Sequence, residues 1–319
     1  MKTGVAWGSL LAGSRVPFCF GSPKSRVVLS RDFALRSSSG AIESKRVFDL
    51  LDRAMLALSD TEKPVEAWQQ FVKPGQVVGL KVNCLAGRGM STSSALVEAV
   101  SERLQEAGIR KENIIIWDRL NRDLERGGFR LSEKGSQVRC FGNDSSGFEP
   151  DLQAYGKVGS LLSRTLTRLC DVVINLPLLK DHGITGMTGA LKNLFGAIHN
   201  PNKYHLNVGD PYIPDVWMLE PVRAKVRLNI CEAITVQYHG GPSFMPAWTW
   251  DFDGLFVSED PVALDYFGWQ LIEQKRREEG MQTLENEGRK PTYIETAAGG
   301  KHGIGSCAPN RIQLVEVNA

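Results

Sequence analysis

The segment 171–198, DVVINLPLLKDHGITGMTGALKNLFGAI, decides the fold class of this chain. It contains the apolar run 172–179, then a glycine-rich turn, and then apolar residues at helical spacing. An apolar run of this length, bounded by turn signals, is typical of a strand buried on both faces of a parallel sheet. The succession of strand, turn and helix therefore predicts an α/β architecture.

The same alternation of short apolar strands and amphipathic helices continues on both sides of this segment. Buried strands are predicted at 77–83 (VVGLKVN) and 113–118 (NIIIWD), and amphipathic helices at 45–59, 93–109 and 260–280. Further strands are predicted at 25–32, 227–234, 254–258 and 312–317. We expect an α/β fold with a mostly parallel sheet covered by helices on both faces, in Rossmann-like layers with long functional loops.

Three stretches show no clear periodicity and are predicted as long loops, at 121–156, 199–220 and 238–254. Long loops in compact domains are usually functional, and the third is rich in aromatic residues. We expect its part Tyr238–Phe252 to fold over a binding cleft as a lid or wall. The alternative is a separate hydrophobic cluster away from the cleft.

The first residues differ in character from the rest of the chain. Residues 1–24 contain a lysine, a mildly apolar stretch and small residues, which faintly resemble an export signal, although Arg15 interrupts the apolar part. We expect 1–24 to be flexible or export-signal-like. Residues 25–319 are expected to form a single α/β domain, or two subdomains with the site between them. The protein is then cytoplasmic, or exported if the segment acts as a signal.

The composition excludes several classes of protein. With 42% hydrophobic residues, 23% charged residues and a formal net charge of +2, the chain is typical of a globular protein. No basic block indicates a nucleic-acid partner, and no apolar run is long enough to predict a membrane span. The six cysteines lie far apart, so the chain has no iron–sulfur or zinc-ribbon motif.

Polar residues follow the buried strands where a parallel sheet binds its ligands. Lys81 and Asn83 stand at the end of one predicted strand, and Lys180 and His182 follow another. Ligands of open parallel sheets bind beyond the carboxyl ends of the strands. We therefore expect these residues and Lys192 to lie around one cleft.

The polar residues at the ends of two predicted strands, 77–83 and 113–118, also have structural explanations. Lys81 lies in an apolar strand, where an unpaired charge is costly, so it either contacts a ligand or forms an internal ion pair. Asp118 and Arg119 follow the strand 113–118 and could simply pair with each other at the surface.

The glycine-rich turn itself predicts an anion site. Free N–H groups at the start of a helix attract anions, Gly189 allows close approach, and the hydroxyls of Thr185 and Thr188 add donors. Lys192 follows one turn into the helix, beside Asn193, which is a poor mid-helix residue. We expect Lys192 to act as an anion clamp, a nucleophile or a covalent cofactor anchor. Together with His182 it is the predicted catalytic pair, acting on a small phosphate- or carboxylate-bearing ligand or a nucleotide-like cofactor.

Two other functions fit the same residues. The first is a metal- or redox-binding protein in which His182, His199 and His205, with Cys84 as a further candidate, hold an ion. The second is a non-catalytic binding module in which the polar cluster is a structural network.

The motifs LPLLKDHGITGMTGALKNLFGAIHNPNKYH at 176–205, KVNCLAG at 81–87 and VSEDPVALD at 257–265 resemble the family called domain of unknown function three-six-two. The resemblance extends from about Ser25 to Val317. Many members of that family carry ferredoxin-like cysteine motifs for iron–sulfur clusters. This chain has no such motif, so the resemblance does not imply an iron–sulfur cluster or electron transfer through one here.

The segment 181–193, DHGITGMTGALKN, is also similar to a segment of the lactate racemases, which use a nickel pincer nucleotide. There a histidine precedes a glycine-rich turn and a later lysine holds the cofactor covalently, and His182 and Lys192 stand at that spacing. The resemblance implies a shared scaffold, a nickel pincer nucleotide or divalent metal as cofactor, and isomerase- or racemase-like or oxidoreductase-linked chemistry. His199 and His205 are inexact counterparts of a later metal-binding histidine. The racemases have a further histidine earlier in the chain, whereas none precedes His182 here.

Overall fold

The computed structural model describes residues 25–318, and a ten-stranded sheet forms the centre of that range. The segment 1–24, predicted to be flexible or export-signal-like, lies outside the described residues. Across 25–318, no helix combines the length and the apolar character that crossing a membrane requires.

Strands and helices alternate along the chain. The strands are β1 (Ser25–Arg31), β2 (Val78–Lys81), β3 (Ile114–Asp118), β4 (Arg139–Gly142), β5 (Gln153–Tyr155), β6 (Val158–Ser160), β7 (Val172–Asn175), β8 (Leu178–His182), β9 (Gly186–Thr188), β10 (Val226–Gln237), β11 (Thr249–Ser258) and β12 (Ile312–Asn318). The helices are α1 (Ser44–Ser59), α2 (Pro64–Gln69), α3 (Ser94–Glu106), α4 (Asn121–Gly127), α5 (Asn143–Ser146), α6 (Ala190–Asn193), α7 (Tyr212–Trp217), α8 (Glu220–Lys225), α9 (Pro261–Glu278) and α10 (Tyr293–Ala298).

Most strands of the large sheet run in one direction. Its order is β12-β1-β11-β10-β7-β2-β3-β4, with β8 paired to β10 and β9 paired to β8. Within the described residues, β11 and β9 are the strands of this sheet that run against their neighbours. The mostly parallel α/β sheet predicted from the sequence is confirmed, because the three buried runs that predicted it form β2, β3 and the consecutive strands β7 and β8.

The sheet has a hydrophobic core on each face. Ile114 and Ile116 of β3 belong to one core, whereas Ile115 and Trp117 belong to the other. The first core includes apolar residues of α1 and α3, and the second includes those of α6, α7 and α9. Because successive side chains of a strand point to opposite faces, this division places helices on both sides of the sheet, as predicted.

Helix starts follow the capping chemistry of the sequence. The Asp260 carboxylate accepts hydrogen bonds from the N–H groups of Val262 at 2.8 Å and Ala263 at 2.9 Å, directly before Pro261 opens α9. Ser93 caps α3 in the same way, through a bond from Leu96 N–H at 3.2 Å. Both helices therefore begin at a side-chain cap.

All three predicted long loops contain regular elements, and in 238–254 the strand β11 already begins at Thr249. The stretch 121–156 holds α4, β4, α5 and β5, and α7 lies within 199–220. Side-chain hydrogen bonds fix these elements: Asn121 Oδ1 accepts from Gly142 N–H at 2.6 Å, and Asn121 N–H donates to Asp144 at 2.9 Å. The loop prediction is therefore wrong for much of 121–156, because elements this short leave no apolar periodicity to detect.

Candidate functional site

A cleft of about 320 Å³ lies at the carboxyl ends of β2, β3 and β8. Each of these strands ends in a polar residue, and parallel strands bring such ends to one edge of the sheet. The predicted ligand-binding residues that line it are Lys81, Asn83, Lys180, His182, Thr188, Lys192, Asn193 and His205. The prediction that Lys81, Asn83, Lys180, His182 and Lys192 share one cleft is confirmed.

The start of helix α6 is closed by a carboxylate of the protein itself. Asp265 of α9 accepts hydrogen bonds from the N–H groups of Ala190 at 2.6 Å and Leu191 at 2.9 Å. Burial raises the pKa of this carboxyl to about 7. The predicted anion site on free N–H groups of this helix is therefore wrong, because Asp265 takes the place of the anion.

Two residues of the glycine-rich turn do not reach the cleft. The buried Thr185 hydroxyl donates to the Met187 carbonyl at 3.2 Å. The backbone of Gly189 lies so close to Asp265 that a Cβ would collide with its carboxylate. The predicted ligand contacts of Thr185 and Gly189 are therefore wrong: these residues shape the turn, whereas Thr188 does line the cleft.

Four buried asparagines form a continuous hydrogen-bonded series, here called the asparagine series, and two of them, Asn83 and Asn193, line the cleft. Asn83 donates to Asn193 Oδ1 at 3.1 Å, and Asn193 donates to Asn175 at 2.8 Å and to the Lys81 carbonyl at 3.1 Å. Asn175 continues the series to Asn229 at 2.9 Å. These bonds join β2, α6, β7 and β10, which explains an asparagine on a helix that it would not otherwise favour.

One acceptor of this series remains open. The Oδ1 atom of Asn83 is buried and has no hydrogen-bond partner within 25–318. Asn83 also lines the cleft, so an unsatisfied acceptor belongs to a cleft residue.

Lys81 is held by an internal ion pair. Its Nζ donates to Asp118 Oδ1 at 2.8 Å, to the Val82 carbonyl at 2.7 Å and to Asn193 Oδ1 at 3.3 Å. The second carboxylate oxygen of Asp118 accepts from Cys84 N–H at 2.8 Å. Of the two interpretations of Lys81, the structure therefore supports the ion pair, although its side chain also borders the cleft.

Lys180 and Lys192 are buried in the cleft wall without a carboxylate partner. Their exposed fractions are 1% and 8%. Lys180 Nζ donates to the Pro242 carbonyl at 3.3 Å, and Lys192 Nζ lies 5.3 Å from the ring centre of Phe195. Neither amine forms an ion pair with a carboxylate of residues 25–318. Burial lowers the pKa of Lys180 to about 8, and burial with the nearby charge of Lys180 lowers the pKa of Lys192 to about 7.

His182 is a fixed hydrogen-bond donor. Its Nδ1 accepts bonds from the N–H groups of Ile184 and Thr185, both at 3.2 Å. A ring nitrogen that accepts cannot carry the proton, so the neutral ring carries it on Nε2. Burial, followed by the charge of Lys192, lowers the pKa of His182 to about 2, which keeps the ring neutral.

His205 has the opposite tautomer. Its Nδ1 lies 3.1 Å from the Pro201 carbonyl and must donate to it, which leaves Nε2 as an acceptor. The ring stacks on His182 with centroids 5.4 Å apart and planes 22° apart. Burial lowers the pKa of His205 to about 4. The cleft therefore presents one neutral imidazole donor and one neutral imidazole acceptor.

The predicted three-histidine metal centre is wrong. His199 is exposed and packs edge-on against Phe148 at 5.0 Å, while His182 has its Nδ1 engaged and its Nε2 protonated. Cys84 is fully buried, and burial raises the pKa of its thiol. Across 25–318, no three side chains of the metal-binding types form a candidate site.

The cleft mouth combines charged and apolar side chains. Arg119 and Asp123 line it with nitrogen and oxygen 3.9 Å apart, and burial raises the pKa of Asp123. Leu85 and Ile184 line it too, although about half of each side chain is exposed. The Arg119 side chain therefore pairs with Asp123, four residues later, and not with Asp118 as the sequence suggested.

The aromatic loop contributes one wall residue rather than a lid. Pro242 lines the cleft, and Gly241 N–H donates to Asp181 at 2.9 Å. Trp248 and Trp250 instead pack on Tyr238, at 5.9 Å and 5.8 Å between ring centres. The aromatic residues of this loop therefore form the separate hydrophobic cluster that was given as the alternative to a lid.

An arginine far along the chain secures this wall, and sequence reasoning missed it. Arg289 donates to Asp181 at 2.8 Å and to the His182 carbonyl at 3.0 Å. Nothing in the local pattern around Arg289 predicts a partner on β8.

Comparisons with known proteins place the chain in a family. The family model described as domain of unknown function (DUF362) matches residues 78–270, which include the whole cleft-lining segment from Lys81 to Pro242. The thylakoid-associated protein of Synechocystis is 28% identical over 214 residues, 64% of this chain and 65% of that protein.

A protein of known crystal structure from Thermotoga maritima is similar at 11% identity with a TM-score of 0.40, over 74% of this chain and 59% of that chain. The chain thus spans less than two thirds of the length of either protein. Since the matched residues 78–270 make up more than half of its length, the chain belongs to the DUF362 family.

Proposed function

We propose that the cleft binds a small anionic ligand that carries a phosphate or carboxylate group. Lys180 and Lys192 clamp the anion, and the Nε2–H of His182 donates a further hydrogen bond. The observation that carries this proposal is the pair of buried lysine amines that line one cleft and have no carboxylate partner among residues 25–318.

The free energy of buried charge supports an anion rather than a neutral ligand. A buried ammonium is costly unless it is paired, and Lys81 in the same cleft has its partner in Asp118. Lys180 and Lys192 lack such a partner in the part of the chain that the structure describes, and the charge of Lys180 raises the cost of charging Lys192. A bound anion removes both penalties through charge-assisted hydrogen bonds.

The neutral groups of the cleft favour a ligand that also has a donor. Asn83 Oδ1 has no partner, and Nε2 of His205 is an acceptor. An oxyanion with an adjacent hydroxyl or amine group satisfies these atoms together with the lysines.

The nickel pincer nucleotide implied by the resemblance to lactate racemases fits only part of this arrangement. Lys192 presents an unpaired amine for covalent attachment, and His205, with Nδ1 bonded to a carbonyl, has the tautomer of a metal-binding histidine. His182 does not fit a metal, because its Nδ1 accepts two N–H groups. We therefore derive no chemistry through that cofactor.

Titration calorimetry with inorganic phosphate and with oxalate tests the proposal. Lys180→Met and Lys192→Met remove a charge at similar volume, and each is expected to weaken binding by at least about tenfold, or 1.4 kcal/mol. Lys203→Met is the matched control, because Lys203 is exposed beside the cleft but does not line it. Unchanged affinity in both cleft variants, with folding intact, would contradict the proposal.

A further inference from the structure

We propose that Lys192 forms a reversible Schiff base with the carbonyl carbon of an anionic carbonyl compound, of the 2-oxo acid class, bound in the cleft. This inference rests on the proposed function, since Lys180 would hold the acid group while Lys192 and the His182 N–H meet the carbonyl.

The surroundings of the three lysines single out Lys192. The Nζ atom of Lys81 donates to three oxygens, and that of Lys180 donates to the Pro242 carbonyl. Lys192 Nζ lies beside the Phe195 ring and has no oxygen partner within residues 25–318. No neighbouring oxygen therefore holds the N–H groups of this amine, so its lone pair is free to turn towards a ligand once the proton leaves.

The charges around Lys192 favour the neutral amine. Burial first, and then the charge of Lys180, lower its pKa to about 7, so about half of the amine is unprotonated at neutral pH. An exposed lysine, with a pKa of about 10.4, has on the order of a thousandth of its amine in that form. A desolvated lysine next to a second cationic group is a known way to activate this nucleophile. The titratable and charged groups that line the same cleft are Lys81, Asp118, Arg119, Asp123, Lys180, His182 and His205.

The two imidazoles supply the proton chemistry that the step needs. The Nε2–H of His182 can donate to the carbonyl oxygen, and Nε2 of His205 can accept a proton from the attacking nitrogen. The nitrogen lone pair forms the C–N bond as the C–O π bond breaks, and the proton that His205 takes from the nitrogen passes to the oxygen, while His182 keeps its own proton and only donates a hydrogen bond. Loss of that oxygen as water, with the second N–H proton, gives the imine without any oxidant or reductant.

Reductive trapping tests this inference directly. The full chain is incubated with pyruvate and sodium cyanoborohydride at pH 7, and peptide mapping by mass spectrometry locates the adduct. We expect the peptide that carries Lys192 to be modified at least about tenfold faster than any other lysine peptide, given the difference in amine fraction. Uniform labelling, or preference for another lysine, would overturn the inference.

Two variants sharpen the test. Lys192→Arg keeps the charge but stays protonated, so it should lose the selective adduct, whereas the control Lys203→Arg should keep it. Lys180→Met should raise the pKa of Lys192 and move the pH profile of trapping by neutral propionaldehyde upward. An unmoved profile would contradict the role given to Lys180.

The outcome also separates the inference from the proposed function. If phosphate and oxalate bind but pyruvate leaves no adduct on Lys192, the Schiff base is wrong and the anion site stands. If propionaldehyde labels Lys192 as well as pyruvate does, the amine is reactive but the anion site is unsupported.

Discussion

Replacing Lys192 by Met is expected to stabilise the folded protein while it abolishes the amine chemistry. The side chain is buried with 8% of its surface exposed, and it has no carboxylate partner within residues 25–318. Its pKa falls from 10.5 to about 7, mainly through burial. A fall of that size corresponds to a penalty on the order of 5 kcal/mol on the charged form in the folded state.

The variant should recover only part of that penalty as added stability. Methionine keeps most of the apolar stem, but it repacks imperfectly, so we expect a gain in the free energy of unfolding of about 2–4 kcal/mol at pH 6. The gain should be largest below pH 7, where the lysine is charged in both the folded and the unfolded state. It should shrink as the pH rises from about 7 towards 10.5, because only the unfolded chain keeps the proton in that window.

Urea unfolding followed by tryptophan fluorescence at pH 6, 8 and 9.5 measures this directly. Lys203→Met serves as the exposed control and should change the free energy of unfolding by less than about 0.5 kcal/mol at each pH. A Lys192→Met protein that is less stable than the parent at pH 6, or a gain that does not vary with pH, would refute the reasoning.

Three further outcomes follow from the same contacts. Asp118→Asn should lower the free energy of unfolding by about 3–5 kcal/mol in urea denaturation, because it leaves the buried Lys81 charge uncompensated; a loss below about 1 kcal/mol would contradict the ion-pair assignment. Asp265→Ala should destabilise the protein by about 1–3 kcal/mol in the same assay, because the N–H groups of α6 lose their acceptor, and it should slow trapping at Lys192. Oxalate affinity, measured by calorimetry, should fall at least about tenfold from pH 6 to 9.5 as Lys192 and Lys180 lose their protons; a constant affinity would contradict the lysine clamp.

The fold and the position of the cleft were predictable because both depend on local patterns. The buried run 172–179 forms β7 and β8, and the polar residues directly after β2 and β8 meet at the same sheet edge. Lys192 was also predictable as a cleft residue. The reason given was wrong, because the N–H groups at the start of its helix bind Asp265 and not a ligand.

The remaining features depend on contacts between distant parts of the chain. Asp265 accepts a hydrogen bond from the first N–H group of α6, at Ala190, 75 residues before it in the chain. Arg289 donates to Asp181, which lies 108 residues before it. His199 and His205 are close in sequence, yet His199 turns outward to Phe148 while His205 stacks on His182. No spacing rule reports such contacts, because they depend on how separate elements pack.

The asparagine series gives the cleft a frame that does not titrate. Asn83, Asn193, Asn175 and Asn229 hold β2, α6, β7 and β10 together through amide groups, which keep the same hydrogen bonds at any pH at which the protein folds. Lys180 and Lys192, which line the same cleft, have pKa values lowered mainly by burial to about 8 and about 7, whereas the amides carry no titrating group. The electrostatic potential of the cleft can therefore be varied by pH or by a bound ligand without titrating any of the amide hydrogen bonds that join these elements.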